Sequence, residues 1–474
     1  MPANSWPDND SYNELDPLNS LFSELSVSEE ESEEELEEET FTSVSLPSRF
    51  QGRRRKAALV LTMVWSGTIA LHLVSWGALF ILGLTTIVGI HVLVVVFARP
   101  KRMNEQIQED LPSVSVLVAA KNEEAVISRL VKNLCNLEYP EGQYEVWVID
   151  DNSSDRTPQL LAELAQEYDK LKILRRKPEA GGGKSGALNQ VLGLTKGEIL
   201  AVFDADAQVS SDLLVRVIPL FQRENVGAVQ VRKAIANANE NFWTKGQAAE
   251  MAVDTFLQHQ RVAIGGIGEL RGNGQFVRRE ALLRCGGWNE ETITDDLDLT
   301  LRLHLDKWDI ECVFNPAVEE EGVTNAIALW HQRSRWAEGG YQRYLDYWDL
   351  ILKNRMGTRK TWNLFIFFIL LQYILPTAVV PDLLMAIARH RPPILSPVTG
   401  LTVTVSMAGM FAGLRRIRQQ KEFKLSTYLV LLLQTLRGAL YMFHWIVVIS
   451  STTARMSLRP KRLKWVKTVH QGKE

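Results

Sequence analysis

The chain has 474 residues, room for one large domain or two to three ordinary ones, and a formal net charge of −3. That charge hides an asymmetry: residues 1–48 carry fourteen acidic residues and no Lys or Arg, and setting them aside leaves the remainder at +11. A basic body beside long apolar runs suits an anionic lipid surface, while the lack of any nucleic-acid motif argues against DNA or RNA as a partner. Cys135, Cys285 and Cys312 are widely spaced and form no CxxC pair, which speaks against a disulfide framework and a zinc site.

In chain order, residues 1–48 read as a disordered acidic tail, with the glutamate block Glu29–Glu39 broken only by Ser32 and Leu36. The start is acidic and has no early apolar core, so it is not a signal peptide. Arg53, Arg54, Arg55 and Lys56 then precede Ala57–Ala98, which contains no Asp, Glu, Lys or Arg. A single spanning helix needs about 20 apolar residues. This run predicts two (57–98), with a turn near Ser75–Gly77. Arg99, Lys101 and Arg102 close it, and basic residues at both outer ends place those ends, and the domain that follows, in the cytoplasm.

Residues 112–345 alternate strand-like and helix-like segments, which predicts an α/β domain on a mostly parallel sheet. The expected strands are Val114–Ala120, Tyr144–Ile149, Leu171–Leu174 and the run that ends before Asp204. A helix is expected to end near Asn136. Ser154 or Asp155 is expected to cap the next one, with Pro158 in its first turn. Beyond the domain, Leu364–Ala388, Ile394–Leu414 and Leu425–Ile449 read as two to three transmembrane or re-entrant helices (362–450), the first interrupted by Pro376 and Pro381. Arg415, Arg416, Arg418, Lys421 and Lys424 mark a cytoplasmic turn, and the tail 451–474 is basic (Arg459, Lys461, Arg462, Lys464).

The chemistry gathers at strand ends. In Leu200–Val209 a buried-type run ends in Asp204 and Asp206, two carboxylates that suit Mg2+ or Mn2+. Magnesium takes few protein carboxylates and fills its other positions with water and phosphate oxygens, so such a pair suits a metal on a diphosphate. Glu123 and Asp150/Asp151 stand at two further strand ends, and the carboxyl edge of an open α/β sheet is where ligands bind. Asp150 and Asp151 suit hydrogen bonds from a uracil or ribose. The loop Gly181-Gly182-Gly183-Lys184-Ser185 is not a P-loop, because position 178 is Pro178. It remains a glycine-rich turn with a lysine, Lys184, ahead of a helix, which suits phosphate. Thr294-Asp295-Asp296 supplies a separate acidic pair suited to a general base, or to capping a helix through Thr294 or Asp295. Trp330–Trp348, rich in aromatics and arginines, reads as an amphipathic helix near 325–350 in the membrane interface, with ordinary packing as the competing reading.

The ordered set Lys121-Asn122-Glu123, Asp150-Asp151-Asn152-Ser153-Ser154-Asp155, Asp204-Ala205-Asp206, Thr294-Asp295-Asp296 and Gln332-Arg333-Ser334-Arg335-Trp336 resembles the GT-A-fold family 2 glycosyltransferases. The last two segments resemble the TED and QxxRW motifs of the cellulose and hyaluronan synthase branch. The whole chain, acidic tail included, resembles the cyanobacterial members that glucosylate diacylglycerol. The resemblance implies UDP-glucose as donor, diacylglycerol as acceptor, Mg2+ as cofactor and a β-linked glycolipid product, a precursor of galactolipids. It also implies a multi-pass protein of the plasma or thylakoid membrane. By the same resemblance, Glu123, Asp150, Asp151, Lys184 and Asp204 bind donor, and Asp204 with Asp206 holds the metal. Asp296 is the base beside Asp295, which replaces the family's glutamate. Gln332, Arg335 and Trp336 bound the acceptor and diphosphate side. The competing expectations are a processive β-polysaccharide synthase, a prenyl-phosphate glycosyltransferase, and a membrane nucleotide-sugar sensor without turnover.

Overall fold

The computed structural model describes residues 52–100, 111–418 and 424–458. The acidic tail 1–48, Lys101, Arg102, Lys421 and the basic residues from Arg459 onward lie outside them.

Seven strands form one sheet: Val114–Ala120 (β1), Tyr144–Asp150 (β2), Leu171–Arg175 (β3), Ile199–Phe203 (β4), Val226–Ile235 (β5), Gln275–Arg278 (β6) and Asp309–Glu320 (β7). Their order is β3-β2-β1-β4-β6-β5-β7. Only β6 is reversed, lying antiparallel between β4 and β5, and every other pairing is parallel. This is the largely parallel α/β sheet expected from the sequence, in a GT-A-like arrangement. Both faces are covered, which explains why the strands read as continuous apolar runs. In β1, Val116 and Val118 pack with Ile127 and Leu130 of the helix Ile127–Cys135, whereas Leu117 turns to the opposite face with Leu188, Val191 and Val202.

The helix after β2 is Thr157–Glu167, with Pro158 in its first turn as expected. Its N-cap position is Arg156, not Ser154 or Asp155. Asp155 instead accepts from the Thr157 N–H through one oxygen and from the Glu124 N–H through the other, so it ties this helix start to the loop after β1. Ser154 is drawn away to Asn122.

Among the described residues, five helices are long and apolar enough to cross a membrane: Arg53–Leu73, Gly77–Val96, Thr358–Ala388, Ser396–Ile417 and Leu425–Leu458. The first pair is separated where the turn was expected. Large apolar side chains such as Leu79, Phe80 and Ile90 face outward along them. The Thr358–Ala388 segment is continuous and is π-helical over Leu364–Ile374 just ahead of Pro376, which has no N–H to give the preceding turn. The last segment is divided at Phe443 into Leu425–Met442 and His444–Leu458.

The expected interfacial helix is Ala326–Leu352, and it is a packed connector. Residues 339–347 are buried on every side of it, and its exposed residues, among them Ile327, Trp330, Trp348 and Leu352, lie toward its two ends. An amphipathic surface helix leaves one face free, which the middle of this helix does not. The helix Phe242–Ala263 packs equally closely on the spanning helices: a Cβ on Gly413 would collide with the carbonyl of Ala252, and one on Gly246 with the ring of Tyr441.

Candidate active site

Asp204 follows directly on the last residue of the fully buried β4. Its N–H donates to Asn273 Oδ1 at 3.2 Å, and its carbonyl accepts from Ala207, which makes the turn that brings Asp206 back to the same edge. Asp206 is buried, and its Oδ2 accepts from the Glu321 N–H at 3.0 Å. Gln208 bridges to Glu319, so the end of β7 is stitched over the pair. Lys184 reaches across from the helix Gly183–Leu192 and places its ammonium 2.5 Å from Asp204 Oδ1. Gly182 takes a left-handed φ of +79°, the backbone this tight turn needs.

Asp150 ends β2, which β1 separates from β4, and Asp151 follows it; neither lines the cavity that holds Asp204 and Asp206. Asp151 is engaged by Arg176, whose Nη1 is 2.5 Å from Oδ1. Arg176 also donates to the carbonyls of Gly181 and Gly183. Asp151 therefore braces the glycine loop that carries Lys184. Asp150 is 1% exposed and accepts from the Ser153 N–H at 3.0 Å.

Thr294-Asp295-Asp296 lies at the start of the helix Asp295–Leu305. Thr294 holds the N-cap position but its side chain makes no cap bond. Asp296 instead accepts from the Leu297 N–H through Oδ1 at 2.8 Å. Burial raises both carboxyls above the ordinary aspartate range, and Asp295 adds repulsion at Asp296, which is pushed up to about 6. Burial opposes the charge on Lys184 too, yet Asp204, Asp295 and Asp296 together hold its pKa above the ordinary lysine value. One ammonium thus sits among three carboxylates drawn from two distant segments.

Arg335 feels both Asp204 and Asp296, though burial still leaves its pKa below the usual arginine value. Trp336 lies between two cations, with the Arg333 guanidinium 4.0 Å and the Lys233 ammonium 5.4 Å from its ring centre. Lys233 is also 2.8 Å from Glu320 Oε2.

These groups share one cavity of about 570 Å³. Its polar lining includes Lys121, Glu123, Lys184, Asp204, Asp206, Asp295, Asp296, Gln332, Arg335 and Trp336. Its apolar lining comes from the long apolar helices, with Leu371, Val405, Met407, Met410, Met442 and Ile446 on its walls. Lys121, Lys233, Glu250 and Arg271 also line the cavity but were not singled out from sequence. Lys121 at least stands inside a motif. The other three look like ordinary charges on a strand, a helix and a loop. Among the described residues no group of three or more His, Cys, Asp or Glu is placed to hold a metal ion. Two carboxylates at a strand end still fit Mg2+ or Mn2+, which draw their other ligands from water and phosphate.

Residues 112–339 match the model of the family described as glycosyltransferase like family 2. The β-monoglucosyldiacylglycerol synthase of Trichormus variabilis is 76% identical over 472 residues, covering 100% of this chain and 99% of that protein. The protein of the same name from Synechocystis is 52% identical, covering 99% and 97%. Among solved structures, the mannosyltransferase PcManGT of Pyrobaculum calidifontis, in complex with GDP-Man and Mn2+, is 20% identical with a TM-score of 0.48, covering 78% of this chain and 100% of that one. With carboxylate pairs at the expected strand ends and near-complete coverage of such relatives, the chain belongs to the family 2 glycosyltransferases, on the branch of the β-monoglucosyldiacylglycerol synthases.

Proposed function

We propose that the chain is an inverting glucosyltransferase that moves glucose from UDP-glucose to the free hydroxyl of diacylglycerol. The observation that carries this reading is one cavity lined both by Lys184, Asp204 and Asp296 and by apolar side chains of the long apolar helices. A sugar nucleotide is polar and highly charged, whereas diacylglycerol is apolar except near its hydroxyl. A cavity with both kinds of wall suits a junction between the two. The family and the full-length relatives support the same reaction.

In the reaction, Asp296 accepts the proton of the acceptor hydroxyl as that oxygen forms a bond to the anomeric carbon. The bond from that carbon to the UDP oxygen breaks, and UDP leaves with the electron pair. Attack opposite the leaving group turns an α-linked donor into a β-linked product. A carboxylate with a pKa of about 6 is largely ionised at neutral pH and still basic enough to take the proton. Lys184 and Arg335 meet the negative charge that grows on UDP, the preorganised stabilisation that dominates many catalysed reactions. Asp204 and Asp206 would hold Mg2+ or Mn2+, which when bound offsets charge on the diphosphate. Glu123 and Asp150 serve the nucleoside end, with Asp151 bracing the loop, and Gln332 and Trp336 bound the acceptor. A multi-pass arrangement in the plasma or thylakoid membrane, with the catalytic domain cytoplasmic, is supported by the five candidate spans and the basic residues at helix ends. Exposed Arg54, Arg55 and Arg415 at helix ends suit anionic headgroups.

The test is radiolabelled UDP-glucose with the full-length chain, Mg2+ and diacylglycerol, followed by solvent partition and mass analysis. A lipid heavier by one hexose supports the reading. Long insoluble chains would instead support a processive synthase, and incorporation only from UDP-galactose would change the donor. Nucleotide binding without any product would leave a sensor.

A further inference from the structure

Arg333 lies between two residues of the QxxRW segment that bound the acceptor side, yet it points away from the carboxylate stations. It is the largest charged side chain with no exposed surface. Its Nη1 donates to Gln332 Oε1 at 2.5 Å, its Nη2 donates to Glu250 Oε2 at 2.6 Å, and its plane lies over Trp336. Glu250 is held in turn from the spanning region: Tyr441 Oη donates to Oε2 at 2.9 Å and Trp445 Nε1 donates to Oε1 at 2.8 Å. Tyr441 and Trp445 flank the break at Phe443, and Met442, Phe443 and Trp445 line the cavity. One carboxylate therefore ties the acceptor-side wall of the site to the interrupted span.

A buried ion pair gives little net stability, because desolvation cancels much of the attraction, but it fixes geometry when all its hydrogen bonds are made. Here both Glu250 oxygens are satisfied, though Arg333 Nε is buried without a partner, and the pair joins two elements whose residues Gln332, Trp336 and Trp445 line the cavity. We propose that Arg333 and Glu250 are positioning residues for the lipid acceptor: they hold Gln332 and Trp336 in register with the Phe443 break, so that a diacylglycerol entering along the apolar walls presents its hydroxyl to Asp296. The inference rests on the acceptor reading given above.

The experiment compares KM for diacylglycerol in mixed micelles with KM for UDP-glucose, using the purified full-length chain and the variants Tyr441→Phe, Trp445→Phe, Arg333→Lys and Glu250→Gln. Tyr441→Phe keeps the ring and removes the hydroxyl that donates to Glu250 and accepts from Arg333, and Trp445→Phe keeps an aromatic ring, smaller than indole, and removes the bond to Glu250. The expected result is a rise of about five- to tenfold in the KM for diacylglycerol, with the KM for UDP-glucose changed less than twofold. Each is also expected to be non-additive with Glu250→Gln, because they share one carboxylate. Arg333→Lys keeps the charge but loses the second hydrogen bond and the planar stack on Trp336, so it falls between wild type and Glu250→Gln. If Glu250→Gln fails to fold, the two aromatic variants decide. An unchanged lipid KM in both, or an equal rise in both KM values, overturns the joint while leaving the glucosyltransferase reading intact. Absence of diacylglycerol-dependent transfer by the wild-type chain removes that reading, and the joint with it.

Discussion

The ammonium of Lys184 rests 2.5 Å from Oδ1 of Asp204, on the carboxylate best placed to share a metal with Asp206. A metal ion held by Asp204 and Asp206 would compete with the lysine for that oxygen until a diphosphate offered the lysine another anion. Lys184→Gln is expected to tighten Mg2+ binding in the absence of nucleotide and to weaken Mg2+-dependent UDP binding by about tenfold, the size of one charge-assisted hydrogen bond. Calorimetry with and without UDP reads both changes, and parallel losses in the two titrations would sink the competition.

Asp206→Asn keeps the shape of the turn and an oxygen for the Glu321 N–H, but removes one carboxylate charge. UDP affinity is then expected to lose most of its dependence on Mg2+ while the fold stays intact. A UDP titration at several Mg2+ concentrations checks this. A preserved metal dependence would shift the metal site elsewhere.

Asp296→Asn removes the base without touching Asp204 or Asp206. Turnover is expected to fall by about 10²- to 10⁴-fold, the usual range for a general base, with UDP binding nearly unchanged. Product analysis alongside calorimetry separates the two, and near-normal turnover would remove Asp296 from the role.

Burial and Asp295 raise Asp296 to about 6, and only its ionised form accepts a proton. Log kcat/KM for the acceptor is therefore expected to fall with unit slope as the pH drops below about 6, and to level off above it. Because Asp295 and Asp296 interact, the midpoint belongs to the pair. The sign is fixed: a midpoint near the ordinary aspartate value of about 4 would mean that burial does not govern this site.

The Phe242–Ala263 helix approaches the spanning helices so closely that Gly246 faces the ring of Tyr441 with no room for a Cβ. Gly246→Val is expected to cost about 1–3 kcal/mol through overpacking and to lower the thermal midpoint in detergent. A midpoint equal to wild type would mean the interface yields without strain.

Local patterning determined much of this molecule. Apolar runs bounded by turn residues marked β1 to β4 nearly to the residue, and uncharged stretches of about 20 residues marked the spans. The carboxylates were legible because they follow strand ends, where chain direction alone brings them to one edge of the sheet. Helix caps were less so: Asp155 and Thr294 have capping chemistry, but Asp155 divides its oxygens between the Thr157 and the remote Glu124 N–H groups, and the Thr294 side chain makes no cap bond. Only the tertiary structure showed that Arg176 occupies Asp151, that Ala326–Leu352 is wrapped on all sides in its middle, and that Arg333 turns inward. Arg333 and Arg335 are two residues apart on a helix, so the 3.6-residue turn sends them to opposite faces. Which face meets Glu250 and which meets Asp204 depends on packing against segments 83 and 131 residues away in sequence. Sequence sets local conformation through short-range sterics and polarity, whereas the partner of a buried charge is fixed only when remote segments close around it.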